Sequence, residues 1–134
     1  MDLIQSQQAQ RAMQILDQIV ASPQASQNEI VFAAQIYNEM NQLSKVEQAL
    51  ARLVKMSPNS PEAWFDLAGV QAVLNQPTQA LLSLSEALKR NSQRLAQTPK
   101  APNLYSNALT DEKLNGLRQL PDFQRMITQY AARK

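Results

Sequence analysis

The stretch PEAWFDLAGVQAVLNQPTQALLSLSEALKRNS, residues 61–92, decides how the whole chain is read. Pro61 suits the first turn of a helix, where its missing N–H has no partner to lose, and Ser60 before it is a good N-cap. Apolar residues then recur without a breaker as far as Asn75-Gln76-Pro77, which ends one helix and opens another. So short a connection folds two helices back on each other as antiparallel neighbours. Ala68, Ala80 and Ala87 are small, while Trp64, Leu67 and Leu84 are large. Helices approach closely only where side chains are small, and large neighbours fill the flanking gaps.

A shift of 34 residues carries this stretch onto residues 27–60. Ile30 falls on Trp64, Ala34 on Ala68, Val46 on Ala80, Leu50 on Leu84 and Val54 on Leu88. The breaks coincide too, Asn41 with Asn75 and Pro58 with Ser92. Further back, Ala12, Leu16 and Ile19 lie 34 residues before Val46, Leu50 and Leu53, so the first helix is in register with the second half of a unit. That helix is marked by Ala9, Ala12, Met13, Leu16, Ile19 and Val20, and nothing breaks it until Pro23. Ser26-Gln27-Asn28-Glu29 and Ser44-Lys45-Val46-Glu47 both have capping-box spacing and predict helices over about 28–41 and 44–56.

Beyond residue 97 the pattern is less regular. Thr98-Pro99-Lys100-Ala101-Pro102-Asn103 predicts a loop. Thr110-Asp111-Glu112 predicts a cap with an acidic first turn, opening a short helix that Gly116 stops. Leu120, Phe123, Met126, Ile127 and Tyr130 predict a last helix from Pro121.

A 34-residue helix–turn–helix unit with Trp64, Leu67, Ala68, Ala80, Leu84 and Ala87 in these places resembles the tetratricopeptide repeat. Tyr37 and Pro58 match the family's aromatic and terminating proline in the earlier copy. Val46 and Leu53 stand there instead of alanines, and in the later copy Gln71 and Ser92 replace the aromatic and the proline. The resemblance implies an all-α, right-handed solenoid of antiparallel helix pairs with about six or seven helices in a single domain. Its parts are a half-unit over 1–22, a repeat over 27–60, a repeat with an extended second helix over 61–97, and a loop with a closing helix over 98–134. Two full repeats fall short of the usual three, so the first and last helices are expected to supply the missing end contacts.

Composition narrows the function. The 134 residues contain neither His nor Cys and only two glycines. The commonest catalytic base, thiolate chemistry and glycine-rich phosphate loops are therefore absent. Nineteen glutamines and 18 alanines against 5% aromatics favour helix over sheet. Asp111 and Glu112 read as helix-terminal acids. Glu62 and Asp66 share a helix face without the third ligand a metal needs, and Ser83 and Ser85 have no activating base. The reading is non-enzymatic, without cofactor or metal.

Residues 1–88 carry four basic and eight acidic side chains, and residues 89–134 nine basic and three acidic. Lys89, Arg90 and Arg94 are read as cations near a helix C-terminus rather than a nucleic-acid surface. No run reaches the ~20 apolar residues of a membrane span. The chain is expected to be soluble, with the cytoplasm favoured and its compartment not fixed by the sequence.

In the family the resemblance points to, partners lie along the first helices of successive repeats. That face maps here to Asn28, Val31, Phe32, Gln35, Asn38 and Glu39, and to Glu62, Phe65, Asp66, Gly69, Ala72 and Val73. It holds no Lys or Arg, so it lacks the cation a carboxylate clamp needs. The expected function is a protein-interaction scaffold. The groove comprises Asn28, Val31, Gln35, Asn38, Glu39, Phe65, Asp66, Gly69 and Val73. Apolar burial around Phe65 and Val73 supplies binding, and Gln35, Asn38, Glu39 and Asp66 orient a peptide or helix of another protein or of another domain of the same longer chain. The alternative is a self-associating structural domain, a homodimer, whose groove is filled by its own C-terminal segment through Tyr105 or Phe123.

Overall fold

The computed structural model describes residues 3–131, with side chains over 7–131. Every regular element among them is helical, and there is no strand. The α-helices are α1 (Leu3–Ala21), α2 (Gln27–Glu39), α3 (Leu43–Met56), α4 (Pro61–Val73), α5 (Pro77–Gln97), α6 (Tyr105–Thr110) and α7 (Pro121–Ala131), and a 3-10 helix spans Glu112–Leu117. This makes eight helices where six or seven were expected. The addition is α6, whose six residues bury only Tyr105 and Ala108, too few to show a period in sequence.

The chain divides into two compact units, one ending at Met56 and the other beginning at Ser57. In the first, α2 packs mainly against α3, and α1 against both. The Ser26 capping box forms in full: the Ser26 hydroxyl accepts from Glu29 N at 3.2 Å, and Glu29 Oε1 accepts from Ser26 N at 2.9 Å. The box at Ser44 does not form, because α3 begins at Leu43 and places Ser44 inside its first turn. Ile30, Ala33, Ala34 and Tyr37 of α2 meet Val46, Ala49, Leu50, Leu53 and Val54 of α3 in the buried interior. Among the residues of α1 whose side chains are described, Leu16 is the buried one. Asp17 accepts from the Tyr37 hydroxyl and from Lys45 Nζ at 3.0 Å. These two donors hold its carboxyl below the usual range, while burial and the Asp17 charge push the Tyr37 hydroxyl well above its own. Arg52 acts at the same C-terminal end of α1, donating to the Val20 carbonyl.

In the second unit α4 packs chiefly against α5, the 3-10 helix lies on α4, and α7 lies on α5. Ser60 caps α4 by accepting from Ala63 N, with Pro61 at the first helical position. Trp64 is half-buried against the core and donates its indole N–H to Pro58 O at 2.8 Å. That core joins Phe65, Ala68, Ala80, Leu84 and Leu88 to Tyr105, Leu114, Leu117, Phe123 and Tyr130. Thr110 is not the expected cap. It is the last residue of α6, and its hydroxyl donates to Ser106 O, so Asp111 caps the 3-10 helix instead by accepting from Lys113 N. Gly116 does not stop that helix. It lies inside it with an ordinary negative φ.

The 34-residue correspondence extends to geometry. Asn41 and Asn75 both take the left-handed conformation, φ 58° and 61°. Asn41 N donates to Asn38 O and Gln42 N to Tyr37 O. One period later Asn75 N donates to Ala72 O and Gln76 N to Gln71 O. These are two Schellman closures in register. Burial repeats as well: Ala33 with Leu67, Ala34 with Ala68, Val46 with Ala80, Ala49 with Ser83, Leu50 with Leu84, Leu53 with Ala87, Val54 with Leu88. Where Tyr37 gives way to Gln71, Ala49 gives way to Ser83, whose buried hydroxyl donates to Gln71 Oε1 at 2.6 Å. Ile15 stands in register with Ala49 and Ser83 yet is 58% exposed.

A left-handed residue with a Cβ is strained by roughly 1–2 kcal/mol, which Asn offsets in part and Gly avoids. Asn41→Ala and Asn75→Ala are each expected to lower stability in urea denaturation by about 1 kcal/mol, whereas Asn→Gly at either place preserves or raises it.

Candidate functional site

The outward faces of α2 and α4 carry the residues singled out for partner binding, and their surroundings differ. α4 is apolar nearly all round, and such a helix is largely buried. Phe65 is 8% exposed within the core that contains Leu114 and Leu117, and Gly69 is buried. The cover is the chain's own 3-10 helix. A Cβ added at Gly69 would lie 3.2 Å from Lys113 Cδ, so the glycine sets how closely Lys113 crosses α4. Phe65 and Gly69 therefore do not stand open to another molecule. Tyr105 and Phe123 share their core, but the groove itself is crossed by Lys113 and Leu114. Asp66 and Val73 remain exposed at its edge.

Cations of the C-terminal half answer the acids of α4. Arg94 grips Glu62 with two hydrogen bonds of 2.8 Å and donates a third to Pro102 O, fixing the 98–103 loop against the start of α4. This contact holds the Glu62 carboxyl below its usual range. Asp66 is shifted the other way, because crowding by protein desolvates its carboxylate. The Lys113 charge opposes that shift, and Glu62 and Asp111 add to it. Arg118 is likewise spent on backbone, donating to the Leu109, Ala108 and Asp111 carbonyls where α6 ends. Asn91, buried in α5, donates to Asn103 Oδ1 and accepts from Leu104 N. Much of the basic excess of residues 89–134 thus serves internal closure.

On α2 the corresponding face is open. Asn28, Phe32, Gln35, Asn38 and Glu39 are exposed and Val31 is half-buried, while Ile30, Ala33, Ala34 and Tyr37 on the opposite face are buried. Phe32, at 57% exposure, is the largest apolar side chain left in solvent among the described residues. This surface can take up an apolar group beside a basic one. A shallow, open depression on α3 is lined by Gln48, Ala51, Arg52, Lys55 and Met56. Among the described residues no cluster of acidic side chains is arranged to hold a metal ion, and no helix is long and apolar enough to cross a membrane. Neither family models, nor curated proteins, nor solved structures give a match to this chain.

The signal for the closed face was present in sequence. Phe65, Leu67, Ala68, Gly69 and Val70 between them occupy nearly every side of α4, and apolarity on all sides denotes burial rather than a groove.

Two predictions test this arrangement. Gly69→Ala gains helix propensity worth up to ~1 kcal/mol and asks only a small shift of the flexible Lys113 chain, so it is expected to raise the melting temperature. Gly69→Leu displaces the 3-10 helix, read as faster amide exchange over residues 112–117. Asp66→Asn is expected to stabilise slightly at pH 7. The raised carboxyl is unfavourable in its ionised folded form, so the advantage fades as pH falls through the folded value and is gone below the ordinary aspartate value of about 3.9.

Proposed function

We propose that this chain is a non-enzymatic helical-repeat scaffold of tetratricopeptide type, a short right-handed solenoid that docks another protein on the outward face of α2. The observation that carries the reading is the contrast between two in-register faces. The face on α4 is covered by residues 112–117, and the face on α2 keeps Phe32, Gln35 and Glu39 in solvent. A single exposed apolar residue is ordinary on a protein surface. Phe32 differs because the helix face one period later is a docking face already in use. The repeated Schellman closures and the matched burial support the repeat architecture. The lack of His and Cys supports a role without catalysis.

A second reading is favoured by one observation. Ile15 is exposed at a register position that is buried in both hairpins, so a second copy covering α1 makes the chain a self-associating structural domain.

The test is affinity capture from cells of the source organism with the full chain and its Phe32→Glu variant. Phe32 is exposed, so the change is expected to alter stability by less than about 0.5 kcal/mol, and bound protein is expected to fall at least fivefold. Equal capture by both proteins removes α2 as the docking face. Sedimentation velocity on Ile15→Glu decides the second reading: a dimer lost on substitution supports it, and a monomer at high micromolar concentration with Ile15 intact ends it.

A further inference from the structure

The unit beginning at Ser57 contains a solved example of how a first helix of this repeat is recognised, because residues 112–117 are the ligand of α4. Three features make the contact. Leu114, fully buried, enters the core beside Phe65 and Ala68. The Lys113 side chain crosses Gly69 along its aliphatic length. Asp66 lies one turn before Gly69 on the same side of α4, so the Lys113 chain that crosses Gly69 brings a cation to an acidic edge without closing an ion pair with it. α4 itself carries Glu62 and Asp66 and no basic residue.

One period earlier α2 has the same character. It carries Glu29 and Glu39 and no basic residue, and among the described residues no cation pairs with Glu39. Val31 occupies the Phe65 place, Gln35 the Gly69 place and Phe32 the Asp66 place. Apolar surface shifts from Val31 towards Phe32, and the acid moves two turns along the same face, to Glu39. Gln35 prevents an approach as close as Lys113 makes to Gly69, so an occupant rides further out on the Phe32 ring.

We infer that the outward face of α2 binds a short helical segment of a partner protein that presents a leucine next to a lysine or arginine, the chemistry that Lys113 and Leu114 present to α4. The inference rests on the scaffold reading above and adds to it the class of ligand. Burial against Phe32 and Val31 supplies affinity. The cation beside Glu39 supplies orientation, since charge complementarity fixes register more than it adds strength. A partner rich in acidic residues is disfavoured by Glu29 and Glu39.

The probe is an end-capped synthetic peptide, TDEKLNGLRQL, copying residues 110–120. It is titrated into the isotopically labelled full chain and followed by amide chemical shifts. Saturable shifts at Phe32, Gln35 and Glu39 are expected. A chain carrying Phe32→Glu is expected to bind at least tenfold more weakly, and one carrying Gln35→Lys severalfold more weakly. A peptide with Lys113→Glu is expected to lose affinity for the unaltered chain. Three outcomes overturn the inference: no shift at millimolar peptide, shifts centred on Phe65 and Gly69 through displacement of the chain's own segment, or binding that ignores Phe32→Glu. If the peptide fails while cellular capture still depends on Phe32, the scaffold reading stands and only the ligand class falls. If capture is also independent of Phe32, both fall.

Discussion

The fold depends on a steric constraint: within each hairpin, two helices must come close enough to exclude water along their whole seam. That requires small side chains on the line of contact. The chain supplies Ala33, Ala34 and Ala49 in one pair and Ala68, Ala80 and Ala87 in the other, all nearly or fully buried. Larger residues, Leu50, Leu84 and Leu88 among them, close the space alongside. Packing at interior density leaves little tolerance for enlarging such positions. The connections obey the same constraint. Three residues return the chain from α2 to α3 and from α4 to α5, and a left-handed asparagine in each makes so abrupt a reversal feasible.

Identical backbone solutions do not require identical side chains. Tyr37 reaches out of its hairpin to Asp17 on α1, tying a third helix to the pair. Gln71, at the same place one period on, turns inward to a serine. The two exchanges, Tyr to Gln and Ala to Ser, are understandable only together, since a buried amide oxygen without a donor is costly. The two hairpins thus share a frame and differ in what they recruit: α1 in one, the C-terminal segment in the other.

Most of this frame was legible in sequence. The helix limits at Pro61 and Pro77, the Ser26 capping box and the 34-residue register all follow from local chemistry, which acts within a few residues and leaves a clear trace. The failures have a common cause. Ser44 and Thr110 have the right residue types for caps, but where a helix starts is settled by the preceding turn: Gln42 O accepts from both Lys45 N and Val46 N, and α6 runs on through Thr110. The helix α6 is too short to show a period. The candidate groove was half legible. On α2 the polar outward face was read as a surface and is one. On α4, apolarity on all sides signals that Phe65 and Gly69 are covered, but the cover comes from residues more than forty positions away, and no local pattern names them.

In the unit ending at Met56, the exposed Ile15 leaves uncovered on α1 a face in register with two buried positions. An engineered helix–turn–helix module spliced ahead of α1 therefore meets an apolar side chain already placed to receive it. In the unit beginning at Ser57, Leu114, Leu117, Phe123 and Tyr130 are consumed in sealing α4 and α5, so a module added after α7 requires that seal to be rebuilt.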